Sequence, residues 1–159
     1  CVHQTGVYFM SRQGVYRTTG EEPELVSSLV EPLWTGEASP FFTGGVIAQG
    51  EITNCAMTTH RDRIYLSYPT SSANNRVLVY DPQFEWWTLF EMPASCLASF
   101  RPENNPELVF GNASGSNFVS RHNPSLKTDE GAVIGSFWRS GWFDLGNPDV
   151  KTVRSTKKC

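Results

Sequence analysis

Alternation with a period of two runs through almost the whole chain. It appears in "GVYFM", "GVYRT", "CAMTTH", "DRIYLSY", "RVLVYD", "EWWTLFE", "CLASF", "PELVFGN" and "SNFVSR". Side chains on a strand point to opposite faces in turn, so this spacing marks strands with two distinct faces. Clusters of Gly, Pro, Asn, Asp and Ser fall between the runs: "PTSSANN", "RPENNP", "GNASGS". Such residues supply the backbone angles and side-chain acceptors that tight turns need. About a dozen short strands with turn punctuation every eight to twelve residues predict an all-β domain: a sandwich, a barrel or a propeller. One helical segment competes, "SSLVEPLW" at 27–34, and Pro32 limits it to about a turn.

Composition agrees with one β domain. The chain has 159 residues, of which 13% are aromatic and only 18% charged, below the typical quarter. The net charge is −3, with lysines and arginines scattered, so no basic footprint for nucleic acid is present. No stretch of eighteen apolar residues suggests a membrane span. The opening "CVHQTGVYFM" has no charged n-region and no apolar h-region, and reads as the start of a mature or excised piece.

A repeat narrows the architecture. Cys55 and Cys96 stand 41 residues apart, and each opens the same order of features. A small-apolar strand comes first, then an Arg-containing polar corner, a strong apolar strand, a Ser/Asn-rich turn and a further strand. The N-terminal "GVYFM", "GVYRT", "PELVS" is read in the same order. A spacing near 41 suits a four-stranded propeller blade better than a sandwich. The expected layout is one domain of about three blades. It comprises a partial blade at 1–33, an inter-blade loop at 34–54, a blade at 55–93, a blade with a terminal strand at 94–145, and the start of a next segment at 146–159. A β-sandwich or barrel is the alternative. Closed propellers carry at least four blades, so the chain is expected to belong to a larger ring or to share one with other copies.

Within "RVLVYDPQFEWWTLF", Asp81-Pro82 predicts a turn, with Pro82 presetting φ and Asp81 accepting from backbone N–H groups. Glu85, Trp87 and Leu89 share one face of the returning strand. Phe84, Trp86, Thr88 and Phe90 share the other. Two aromatic faces predict a strand covered on both sides.

Residues Val79, Tyr80, Asp81, Pro82 and Trp87 resemble a kelch-type blade, in which Tyr-Asp-Pro ends one strand and a Trp stands on the next. The upstream diglycine of such blades is replaced by "YPTSSANN". The chain as a whole is more similar to the β-propeller of tailed-bacteriophage tail proteins, in the nozzle, hub or tip. The likeness rests on "VYFMSRQGVYRTTGEEPELVSS", on "RVLVYD" with its following Trp-Thr strand, and on Trp142, Phe143, Asp144, Leu145, Gly146, Pro148 and Lys151. This resemblance implies a non-enzymatic structural role in the virion, with other tail subunits as partners and a homo-oligomeric state. The other function weighed is a carbohydrate- or receptor-binding module, at a phage tip touching a host-surface glycan.

No enzyme signature is present: GxSxG, HExxH, P-loop and GxGxxG are all missing. His60, in "TTHRDR", and His122, in "SRHNP", read as surface loop residues. Cys55 and His60 lie five positions apart and so point to opposite faces of a strand, which weakens a thiol–imidazole dyad. The acids Asp62, Asp81, Glu85, Glu107, Asp129 and Asp144 sit at turns and strand ends, where carboxylates face water. No pair of Cys1, Cys55, Cys96 and Cys159 has metal-binding spacing, and their pairing is open. The expectation is therefore no catalytic, cofactor-binding or metal-binding residue. The segment 34–54 is long for a connection. Its Phe41 and Phe42, between Pro40 and a Gly-Gly pair, would be costly to leave in water. With Trp34 they are the candidate partner contact.

Overall fold

The structure is a computed structural model that describes residues 1–37, 45–102, 105–113 and 118–123, together with the backbone of 128–129 and 132–133. The chain divides into two units, Cys1–His122 and Asn123–Cys159. The described part of the second is one hairpin, β12 (Thr128–Asp129) with β13 (Ala132–Val133).

The first unit holds three antiparallel meanders, and none closes on itself. Sheet A is β1 (Val2–His3), β2 (Gly6–Ser11), β3 (Gly14–Thr18) and β4 (Glu24–Leu25). Sheet B is β5 (Ala56–His60), β6 (Arg63–Pro69), β7 (Asn74–Asp81) and β8 (Trp86–Phe90). Sheet C is β9 (Ala94–Phe100), β10 (Glu107–Asn112) and β11 (Val119–Arg121). In each sheet the strands pair in sequence order, as short turns between antiparallel neighbours require. The all-β expectation holds. The N-terminal sheet begins one strand earlier than the repeat indicates, because Val2–His3 pairs with Val7 and Gly6 although it is too short to show alternation.

Sheet B is the centre of the stack. Ile64, Leu66 and Tyr68 on β6, with Leu78 and Tyr80 on β7, face one core, where they meet Tyr8 and Val15 of sheet A. The alternate residues Tyr65, Val77 and Val79 face a second core with Ala94 and Leu108 of sheet C. Strands buried on both sides read as nearly continuous apolar runs, and "RIYLSY" and "RVLVY" are such runs. Ser67 is the polar exception, and its hydroxyl donates to the Ala94 carbonyl across the second core.

The connection between sheets A and B caps the first core. A 3-10 turn at Ser28–Val30 leads into helix α1 (Pro32–Thr35), with Pro32 at its first position. Gly36, at φ +78°, ends it by donating to the Pro32 carbonyl. Val30, Leu33, Trp34 and Ile47 fill the space beneath.

The turns behave as the residues dictate, with one exception. Asp81 takes the Gln83 N–H at 3.1 Å and the Arg63 guanidinium at 3.0 Å, so the Asp-Pro corner is held by its own carboxylate. The expectation that both faces of β8 are covered fails. Trp87 is 6% exposed, but Trp86 is 67% exposed, and Phe84 and Phe90 are open as well. Sheet C has three described strands against four in sheet B, and on that side of β8 the His122 ring meets Phe90 edge-on at 6.2 Å while Trp86 stays open.

Candidate functional site

A groove of about 740 Å³ lies where the first strands of the three sheets end. Val2, His3 and Gln4 come from the end of β1, Thr59 to Asp62 from the end of β5, and Ser99, Arg101 and Pro106 from the end of β9 and the connection that follows.

Polar bonds stitch the three sheets at this end. Thr59 donates its hydroxyl to the Val2 carbonyl at 3.1 Å, and Gln4 donates to Asp62 at 3.4 Å. Across the other junction His60 Nδ1 meets Ser99 Oγ at 3.0 Å. Arg61 reaches Asn105 Oδ1 at 3.1 Å and the Pro106 carbonyl at 3.2 Å.

The turn that presents Arg61 and Asp62 is strained. His60 pairs with Arg63, leaving a two-residue connection with φ +46° at Arg61 and +60° at Asp62. Hairpins of this type usually place Asn-Gly there, because the left-handed region penalises a Cβ by about 1–2 kcal/mol. Here an arginine occupies the first position, and its guanidinium spans to sheet C.

His60 is 7% exposed rather than a surface loop residue. It is the last residue of β5, and the Tyr65 ring lies edge-on at 5.9 Å. Burial pushes its imidazole below the usual range, with Arg61 and His122 adding to the shift. His122 is lowered by burial too. The unfolded chain, titrating near 6.5, therefore takes up protons that the folded chain resists. This contribution to stability is full above that value and is lost as pH falls through it toward the depressed folded values. Thermal melting from pH 7 to pH 5 is expected to show a falling midpoint, and His60→Gln to flatten part of the fall. An unchanged slope in that variant would assign the fall to other groups.

His60 and Ser99 form a hydroxyl–imidazole pair, and Nδ1 is the ring atom it uses. No carboxylate bonds the ring among the described residues. Cys55 packs against the first core, and burial pushes its thiol up to about 11, which removes it as a nucleophile at neutral pH. Cys1, Cys55 and Cys96 are free thiols. Among the described residues no three His, Cys, Asp or Glu side chains converge on a metal position. No described helix is long and apolar enough to cross a membrane.

Of the candidate contact, Trp34 is buried in the first core, and its indole N–H has no partner among the described residues. Phe41 and Phe42 lie outside the described residues. The groove went unread at the sequence level because its walls come from three distant segments. One signal was available: the Arg-containing corners of the 41-residue repeat are Arg61 and Arg101, and both line the groove.

Comparison of the chain with protein-family models, with curated proteins and with solved structures finds no match.

Proposed function

We propose that this chain is a non-enzymatic structural segment of a β-propeller, a portion of a tailed-phage tail component that acts in the virion through subunit contacts. One observation carries the reading: meanders stack face to face in series, and among the described residues the stack ends on faces with exposed apolar side chains. On sheet A the outer face carries Val7, Phe9 and Leu25, all exposed. On sheet C it carries Phe100, 57% exposed, and Val119, 76% exposed. Inside the stack the corresponding faces of β6 and β7 are buried. The first strands β1, β5 and β9 also run side by side, as innermost strands of blades do.

The occupant proposed for these faces is a second copy of the chain. Sheet C of one copy against sheet A of the next repeats the stacking already present within the chain. Such head-to-tail contacts close into a ring when the rotation allows. The phage assignment itself rests on the sequence resemblance alone.

Light scattering on the purified chain, with and without reductant, is expected to give a discrete ring-sized oligomer. Phe100→Glu is expected to dissociate it, because a buried unpaired carboxylate costs several kcal/mol. A compact, stable monomer overturns the assembly reading. It would favour the second reading, a glycan- or receptor-binding module, for which the exposed Phe84, Trp86 and Phe90 speak. Loss of a cell-surface signal on Trp86→Ala is the discriminator for that case.

A further inference from the structure

The described arginines sort into two groups. Arg17, Arg63, Arg76 and Arg121 each meet a carboxylate, on Glu24, Asp81, Glu91 and Glu107 respectively. Arg61 and Arg101 have no carboxylate within ion-pair distance among the described residues, and both line the groove at the ends of β1, β5 and β9. Arg12, on the β2–β3 turn, is the remaining described arginine without one. In a chain of net charge −3, placing two guanidinium groups with no carboxylate partner among the described residues at one concavity concentrates positive potential there.

The partners of Arg61 are an amide oxygen and a backbone carbonyl. Both are neutral, so they orient the guanidinium without cancelling its charge. Among the described residues of the groove wall Asp62 is the one carboxylate, and Gln4 engages it from sheet A. Arg61 and Arg101 therefore outnumber the acids among the described lining residues.

His60 adds a neutral donor. Its Nδ1 is engaged by Ser99 at 3.0 Å, and no hydrogen bond to Nε2 is found among the described residues. If Ser99 donates to Nδ1, the neutral ring carries its proton on Nε2 and offers it as a hydrogen-bond donor. Thr59 and Ser99 contribute hydroxyl groups to the same walls. The groove holds no exposed aromatic platform of the kind that neutral sugars stack on. Arginine forks and N–H donors are instead the groups that bind phosphate, sulfate and carboxylate.

We propose that this groove is a binding site for a small oxyanion group, with Arg61 and Arg101 supplying the charge and His60 a neutral N–H donor. The described lining residues all come from one copy of the chain, so the proposal does not depend on the assembly reading.

The test is titration of the full chain with inorganic phosphate, sulfate and acetate at constant ionic strength, followed by calorimetry and by the His60 ring resonances. Saturable binding is expected, with the His60 signals shifting. Arg101→Ala is expected to weaken binding about tenfold or more, the loss of one charge-assisted hydrogen bond. Arg12→Ala removes the same charge away from the groove and is expected to bind as the parent does. Response to phosphate or sulfate alone identifies a tetrahedral group, as in phosphate and sulfate esters. Response to acetate alone identifies a carboxylate, as in acidic sugars. Arg101 is exposed, and melting curves without ligand confirm that the variants fold. The proposal is overturned by the absence of saturable binding up to tens of millimolar, or by binding that Arg101→Ala and Arg12→Ala weaken equally.

Discussion

Trp87→Ala is expected to lower stability by about 3–5 kcal/mol, the range for removing a buried aromatic from a packed core. The indole lies against Tyr80 with ring centroids 4.6 Å apart, and Tyr80 in turn meets Tyr8 of sheet A at 6.0 Å. These three rings span the space between sheets A and B. The indole N–H also donates to the Val26 carbonyl at 3.2 Å, just beyond β4. Alanine would leave a cavity and strand that carbonyl. Trp86→Ala, at the adjacent and exposed position, is expected to stay within about 0.5 kcal/mol of the parent. Urea denaturation of the two variants makes the comparison internal. Equal losses would mean that β8 does not present its odd-numbered face to sheet A. Trp87→Phe separates the two contributions, because it keeps most of the packing and loses only the hydrogen bond, about 1 kcal/mol.

Gly14→Ala is the second large effect. Gly14 opens β3 at φ +150°, which side chains rarely adopt. A Cβ there would collide with the Ser27 hydroxyl and come within 2.6 Å of Leu25 Cδ1. Ser27 is fully buried, and its oxygen accepts the Val15 N–H at 2.9 Å, so it has little room to yield. Backbone strain of about 1–3 kcal/mol and an overpacking cost of similar size both apply. The expected loss is about 2 kcal/mol or more. Gly20→Ala tests the first contribution alone, since Gly20 sits at φ +107° with nothing within 4 Å of its would-be Cβ. A Gly14→Ala chain as stable as Gly20→Ala would show that Ser27 moves aside freely.

These two sites differ in how far the sequence discloses them. Trp87 follows from its spacing to the Asp-Pro corner and its place on an alternating run. The role of Gly14 depends on Ser27 folding back from beyond the next turn, which no local pattern encodes. His60 departs from its expected surface position for a related reason. Polar neighbours on both sides, Thr59 and Arg61, mark a corner, and corners are normally wet. Here sheet C lies against that corner and buries the ring.

The fate of Trp86 and Phe90 shows the same limit from the other side. Aromatic residues at both odd and even positions of β8 give it two apolar faces, but they do not state whether a neighbour covers each one. Cover depends on what the next sheet brings opposite each position: the His122 ring reaches Phe90 at 6.2 Å, while Trp86 stays 67% exposed.

Alternation and turn chemistry act over a few residues, so an all-β chain of short strands paired through short turns is legible in the sequence, apart from β1, which is too short to alternate. The 41-residue repeat also carried the matching corners at Arg61 and Arg101. Only the tertiary structure decided that those corners meet His3, His60 and Ser99 at one groove, and which faces of the stack stay open. Those outcomes follow from side chains far apart in the chain competing for the same buried space, and no local pattern records that competition.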